Sequence, residues 1–403
     1  MMARLKPVSI APFVLALGAV GVSATQYRLA SLPVGVGELS LVLAATVALY
    51  SAREGQVNSV SRLILASVAF GGALSTVFLG SLALNWAETE HMRADQIREL
   101  IALGLCAVSA LALLLLARAP AVIQKFGFAA VVLATVGQLL HAGLFAGGVL
   151  SLRFSPVYGE RWRGWAVNPN QLALLLVCLP YFLLVGRREV RAAWRGMATI
   201  ALGVLIVVTG VLTGSDALVI AWCAGGLLLL TPPAYALLRD SRLVRFSAAF
   251  LAIGAFALSF VFTAEITEAT QLAFASLAGK EGGQGQARID LWRSAARVLW
   301  VAPVLGRGPG AQSGFEYAGD GIEAHNTFLD LGASTGLLGI GVVSAGLVAA
   351  IRYSYQCKSL VALAGLTSIG VFSLFHYTLR QPILWLLVVM MLAHAAQQRD
   401  KVT

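Results

Sequence analysis

Between Arg288 and His325 the chain gathers the groups that could do chemistry. The stretch reads RIDLWRSAARVLWVAPVLGRGPGAQSGFEYAGDGIEAH and holds four arginines, several carboxylates, a glycine-rich turn and a histidine. A second basic stretch, SLRFSPVYGERWRGWAVN, carries Arg153, Arg161 and Arg163. Guanidinium groups form paired hydrogen bonds to phosphate or carboxylate oxygens. An imidazole can take up or release a proton near neutral pH. Together these groups suit binding of an anion beside a hydroxyl that must lose its proton. The competing explanation is ion pairing with Glu160, Asp290, Glu316 and Glu323 on a wet surface.

The elements that must position these groups are apolar helices. The chain is 58% hydrophobic and 12% charged, with a mean hydropathy of +0.81. That composition describes a polytopic membrane protein and excludes a soluble α/β fold. Apolar runs of about 20 residues recur, each long enough to cross the hydrocarbon as a helix. Backbone groups cannot stay unpaired in lipid, so the fold class is all-α. We expect a single membrane domain over 1–403 with about twelve transmembrane helices. They lie near 8–25, 35–51, 62–84, 98–117, 126–150, 169–186, 196–212, 215–237, 246–264, 326–350, 359–378 and 382–397. Arg4, Lys6 and the apolar run after them resemble a secretory signal, but the next span follows at once, so an uncleaved first helix is expected.

Charge sets the topology. The net charge of +10 comes from basic residues spread between spans, which argues for a bilayer partner and against nucleic acid. With the N-terminus in the cytoplasm, most basic residues fall on the cytoplasmic side. The short loop Gly186–Gly196 alone carries four arginines and one acid. Both termini are then cytoplasmic. Outer loops are short or acidic, as in NWAETEHMRADQIRE, with two exceptions. One is the arginine-rich loop 151–168. The other is the long loop 265–325, between the ninth and tenth spans, which carries Lys280, Arg288, Arg293, Arg297 and Arg307. Positive charge concentrated on the outer face runs against topology and points to an anionic ligand.

On a helix starting at Arg288, that residue shares a face with Trp292, Ala295 and Leu299. Asp290, Arg293 and Arg297 share the opposite face at pairing distance, which makes them a solvated stripe. The helix should stop before Pro303. Gly306, Gly308 and Gly310 then form a tight turn carrying Arg307, expected to return the chain over the membrane surface. No strand precedes it, so it is not a nucleotide loop. His325 stands at the outer mouth of the helix 326–350, followed by Asn326, Asp330, Gly332, Gly336 and Gly339. A histidine there can equally be a hydrogen-bonded anchor, and the glycines read as close helix packing. His91, His141 and His394 are weaker candidates, whereas His376 and Arg380 form a supporting pair at the outer end of the eleventh span. No cluster has metal-ligand spacing, so neither metal nor cofactor is expected. Cys106, Cys178, Cys223 and Cys357 lie within spans or on the cytoplasmic side, and no disulfide is expected.

The pattern Arg-x3-Trp, Pro-x2-Gly-x-Gly-x-Gly and His-Asn-x2-Leu-x6-Gly-x2-Gly resembles the core of the bacterial O-antigen ligase and O-antigen polymerase family. It is met by Arg288 and Trp292, by Pro303, Gly306, Gly308 and Gly310, and by His325, Asn326, Leu329, Gly336 and Gly339. A second element, Arg-x2-Gly-x3-Asn-Pro-Asn-x2-Ala, is met by Arg161, Gly164, Asn168, Pro169, Asn170 and Ala173. The resemblance covers roughly 161 to 345. One departure stands out. The family often has Thr-Gly-Ser-Arg at the eighth span, where this chain has Thr213, Gly214, Ser215 and Asp216.

The resemblance implies a GT-C-like membrane fold and a glycosyltransferase of the inner membrane, with its active site facing the periplasm. Its donor would be a glycan on undecaprenyl diphosphate, and its acceptor a sugar hydroxyl. Exopolysaccharide polymerases share the core, so the motif names a chemistry before a pathway. A polymerase of O-antigen or exopolysaccharide is preferred. A ligase transferring glycan to lipid A-core comes next. A chain-length regulator and a flippase would be further partners. Arg161 and Arg288 would bind the diphosphate, with Arg163 and Arg307 as helpers. Asn168, Asn170, Trp292, Asn326, Glu323 and Arg380 would line the substrates. His325 would orient or deprotonate the acceptor, or Glu323 or Asp320 would be the base instead. A transporter or lipid-linked-sugar flippase is the alternative class, but no internal repeat is evident and the polar elements sit on one face. A non-catalytic assembly partner would leave the outer arginines unexplained.

Overall fold

Apolar runs bounded by Pro, Gly and polar clusters become helices, since a helix satisfies its backbone within the segment. The computed structural model describes residues 7–28, 35–52, 60–84, 90–117, 120–230, 284–310 and 323–399. In chain order the helices are α1 (Pro7–Gly21), α2 (Val36–Ala52), α3 (Val60–Leu84), α4 (Glu90–Leu116), α5 (Pro120–Ala146), α6 (Pro169–Gly186), α7 (Ala192–Leu212) and α8 (Asp216–Leu230). Then come α9 (Gln284–Val301), α10 (Thr327–Gln356), α11 (Leu360–Ser373) and α12 (Pro382–Arg399). Among the described residues, five segments are long and apolar enough to cross a membrane: Gln96–Leu116, Ala121–Ala146, Pro169–Glu189, Ala192–Leu212 and Thr327–Gln356. The chain is an all-α, multi-pass membrane protein. The expected ninth span 246–264, the end of the eighth beyond 230, Lys280 and Asp320 lie outside the described residues.

The bundle is organised on α6, which packs against α5, α7, α8, α11 and α12. Leu172, Leu175, Val177 and Phe182 on α6 are fully enclosed, and Phe182 meets Phe126 of α5 edge-on with ring centroids 5.3 Å apart. Helix α11 packs against α6, α8 and α10, so it joins the two halves of the polar end described below.

Two features depart from expectation. The acidic stretch before the fourth span is largely helical, because Glu, Met, Arg, Ala and Gln are good helix formers. Helix α4 therefore starts at Glu90, eight residues ahead of the expected span 98–117, and buries Glu99 near that span's start. The glycine turn after α9 does not simply return the chain over the surface. It docks into a break in α10, where Gly336 has φ 65° and ψ −162°.

Candidate functional site

The polar end of the bundle consists of three constructions. The first is the loop between α5 and α6. Strands β1 (Val157–Tyr158) and β2 (Arg161–Trp162) form a two-residue antiparallel hairpin. The hairpin is tied to the end of α1. Gln26 donates to the carbonyls of Gly164 at 3.0 Å and Ala166 at 2.7 Å, and the Trp165 indole donates to Ser23 Oγ at 2.9 Å. Asn168 caps α6, its Oδ1 accepting from Asn170 N at 2.8 Å, and Pro169 takes the first helical position.

This frame holds Arg161 and Arg163 differently. Arg161 Nε donates to the Thr213 carbonyl at 2.7 Å and Nη2 to Asn170 Oδ1 at 3.0 Å. Thr213 and Gly214 form the turn from α7 to α8. Gly214 has φ 56°, and a Cβ there would stand 3.3 Å from Arg161 Nε. The Thr-Gly-Ser-Asp segment thus supplies an acceptor and close backbone contact to Arg161, so it serves the site without a basic residue of its own. Arg163 commits its donors to its own loop, to Ser155 O and Val167 O, both at 3.1 Å, and lies over the Tyr158 ring.

The second construction surrounds His325. Asn326 caps α10, accepting from Phe328 N at 3.0 Å and Leu329 N at 3.1 Å, while its Nδ2 donates to Leu374 O at 2.9 Å. The buried Asp330 carboxylate accepts from Ala324 N at 2.8 Å and Asn326 N at 3.4 Å. His325 is therefore gripped on both sides, and its backbone takes φ 52°, a left-handed conformation that side chains other than glycine adopt rarely. Its ring is half-exposed and meets the His376 ring edge-on, with centroids 6.2 Å apart. His376 in turn lies against Phe372, and its carbonyl accepts from Thr327 Oγ1 at 2.7 Å.

Arg380 bridges two carboxylates. Its Nη2 pairs with Glu323, two residues before His325, and its Nη1 with Glu99 of α4 at 3.4 Å. Tyr377 donates to Glu99 at 2.5 Å, and the Arg380 guanidinium lies over the Tyr377 ring. Burial and the adjacent Glu99 carboxylate push the Tyr377 phenol well above its usual range, so it stays a neutral donor. Arg380 thus pairs with Glu99 and Glu323, whereas the sequence had matched it with His376. Glu99 and Tyr377 are the members that sequence reasoning missed. Only the carboxylate of Glu99 at the start of an apolar span hinted at it.

The third construction carries Arg307. At the break in α10 the backbones of the turn and the helix exchange four hydrogen bonds. Arg307 N and Gly308 N donate to Ala333 O and Ser334 O at 2.8 and 2.9 Å, while Leu337 N and Leu338 N donate to Pro303 O and Val304 O at 2.7 and 3.3 Å. Ser81 Oγ of α3 adds a bond to Ser334 O at 2.7 Å. A Cβ on Gly336 would lie 2.4 Å from Val304 C and O, so only glycine fits. The Ala333 and Ser334 carbonyls and the Leu337 and Leu338 N–H groups at the break thus regain partners, as a break at membrane depth requires.

Helix α9 packs on α10. Ala295 is buried, Trp292 and Leu299 are half-buried, and Arg293 and Arg297 are exposed, as the helical wheel requires. Arg288 occupies the first turns of α9, and its side chain lies outside the described residues. The structure brings His325, Asn326, Glu323 and Arg380 into one cluster and Arg161, Asn168 and Asn170 into another. Arg307 sits on the first turns of the His325 helix, and Arg163 stays within its loop.

Fold and site define a multi-pass helical membrane protein with arginines and a histidine collected at one end of the bundle. Residues 201–344 match the family model described as O-antigen ligase, and over that stretch the chain carries a domain of the O-antigen ligase and polymerase family. The match takes in the Thr213–Asp216 turn, the Arg288 helix, the glycine turn and the His-Asn cap; the Arg161 element precedes it. No curated protein matches the chain.

Proposed function

We propose that the protein is an inner-membrane glycosyltransferase that moves a glycan from an undecaprenyl-diphosphate donor to a sugar hydroxyl on the periplasmic side, with both termini in the cytoplasm. Within the family's glycan-transferring chemistry we favour a polymerase of O-antigen or exopolysaccharide over a ligase acting on lipid A-core. The short stretch between Arg288 and His325 leaves limited room for an elaborate acceptor platform. The observation that carries the proposal is His325, held left-handed between the Asn326 cap and the Arg380–Glu323 pair, inside the stretch that matches the O-antigen ligases.

In this reaction the acceptor oxygen attacks the anomeric carbon, a new carbon–oxygen bond forms, and the bond to the diphosphate breaks. The hydroxyl proton passes to the His325 imidazole. The departing undecaprenyl diphosphate carries the negative charge, which Arg161, Arg288 and Arg307 would stabilise. Glu323 is engaged by Arg380, which favours His325 as the base. No metal ion is needed in this scheme, and an assembly with a flippase and a chain-length regulator would supply the donor and terminate the product.

The test is transfer in vitro from a defined undecaprenyl-diphosphate oligosaccharide, with and without chelator, for wild type, Arg288→Ala and His325→Ala. Chelator-resistant transfer that collapses in both variants is expected, and transfer that persists in both would sink the assignment. Glycan analysis of a deletion strain separates the two readings: single repeats on the core mark a lost polymerase, and long chains left on the carrier mark a lost ligase.

A further inference from the structure

The strongest unexplained charge lies at the opposite end of the bundle. Helix α6 runs from Asn168 at the candidate site to Gly186 at the far end, where a 3-10 turn (Arg187–Glu189) leads into α7. Arg187, Arg188, Arg191 and Arg195 fall within this connection, and Glu189 is its one carboxylate. Among the described residues no ion pair joins Glu189 to any of the four. Arg195 closes the turn by donating from Nε and Nη2 to Val190 O at 3.3 and 3.2 Å. Arg188 and Arg191 are exposed.

Arg187 differs from the others. Gly186 is pressed onto α5 so closely that a Cβ there would lie 2.3 Å from Phe128 N. The next side chain is therefore half-buried, and its Nη1 is enclosed without a hydrogen-bond partner. Lys125, also half-buried, stands one helical turn before Phe128 and adds a cation on the same side of α5. Membrane topology accounts for arginines in this loop, but it calls for charges in water. It does not account for a charged donor enclosed between helices with no acceptor.

The adjoining surface supplies a second observation. Helix α7 starts directly after these arginines and turns an apolar stripe outward along its whole length. Trp194 and Met197 are each 60% exposed, and Ile200, Val204, Val208 and Leu212 continue the stripe at helical spacing. A cationic surface at the end of the bundle thus runs into an exposed apolar face of membrane-crossing length, the outline of a lipid's head and tails.

We propose that this basic surface, formed by Arg187, Arg188, Arg191 and Lys125, binds the phosphate diester headgroup of an anionic phospholipid. The acyl chains lie along the Trp194–Leu212 face of α7. The accessible part of the half-buried Arg187 guanidinium, with the exposed Arg188 and Arg191, donates to the phosphate oxygens, while the enclosed Nη1 holds the group against α5.

The experiment is native mass spectrometry of the full chain in detergent, with phosphatidylglycerol or phosphatidylcholine of matched acyl chains added. Wild type is expected to retain phosphatidylglycerol preferentially. Arg187→Gln should reduce that retention about tenfold, the loss of one charge-assisted hydrogen bond. It leaves three arginines in the loop to hold the topology. Arg297→Gln, on the exposed stripe at the other end, should leave retention unchanged. Trp194→Ala, which leaves the loop charge intact, should also weaken retention. Equal retention of the two lipids, or an unaffected Arg187→Gln, overturns the proposal. Complete displacement of phosphatidylglycerol by millimolar glycerol phosphate would show a simple anion site in which α7 has no part, and would overturn it too.

Discussion

Replacing Glu99 tests whether the Arg380 bridge positions His325. Glu99 is buried in α4, yet it accepts from Tyr377 at 2.5 Å and pairs with Arg380 at 3.4 Å. Glu99→Ala strands the Tyr377 hydroxyl and one face of the Arg380 guanidinium. Each stranded donor costs about 1–3 kcal/mol, the charged one towards the upper end. The sum, roughly 3–6 kcal/mol, overlaps the usual cost of about 3–5 kcal/mol for removing one partner from a buried pair. Glu99→Gln keeps an oxygen for Tyr377 and loses only the charge, so about 1–2 kcal/mol is expected. The functional consequence runs through Glu323, which Arg380 holds two residues ahead of His325. Once Arg380 is released from α4, it no longer fixes that segment against the bundle. If about 1.4 kcal/mol of this is felt as lost positioning, transfer falls about tenfold. The decrease should appear in kcat with KM for the lipid-linked donor little changed, because Glu99 acts through Arg380 and Glu323 on the His325 segment. The assays are thermal unfolding in detergent and initial rates at saturating donor. Glu99→Ala that is destabilised as calculated, yet transfers at the wild-type rate below its melting point, would show that the bridge is structural only.

Other substitutions probe the remaining constructions. Arg161→Lys keeps the charge but cannot reach both Thr213 O and Asn170 Oδ1, so transfer should fall about tenfold or more while Arg163→Ala falls less, as initial rates with both variants would reveal. Gly336→Ala places a Cβ 2.4 Å from the Val304 backbone and should cost more than about 3 kcal/mol, read as loss of a monodisperse peak on extraction. Asn168→Ala removes the α6 cap and should lower stability by about 1 kcal/mol, a small shift in Tm.

Much of this architecture is legible in the sequence, for reasons particular residues make clear. Hydropathy locates the long apolar helices among the described residues, since lipid leaves the backbone no alternative to α6 or α10. The wheel at Arg288 separates the packed Trp292 face from the exposed Arg293 and Arg297. His325 and Asn326 are visible because a capping asparagine before an apolar run is a local signal. Glu99 is not visible, because its partners lie 278 and 281 positions away and no local pattern encodes such a pairing. Arg161 and Arg163 look alike in type and neighbourhood; only the fold of the hairpin turns one towards α8 and the other back onto Ser155. Gly336 reads as a packing glycine because glycines in membrane helices usually are. Its positive φ depends on the turn from Pro303 to Gly308 being in place.

That junction divides scaffolding from recognition. The four hydrogen bonds fixing Arg307 to α10 run between peptide groups, and a peptide group is the same in almost every residue. Gly306 and Gly336 are held to glycine by close contact, but Val304, Leu305 and Pro309 take part through main chain or not at all. Side chains along this turn can therefore change while the distance from Arg307 to the His325 helix stays fixed. The backbone frame at this junction is thus independent of the side chains it displays.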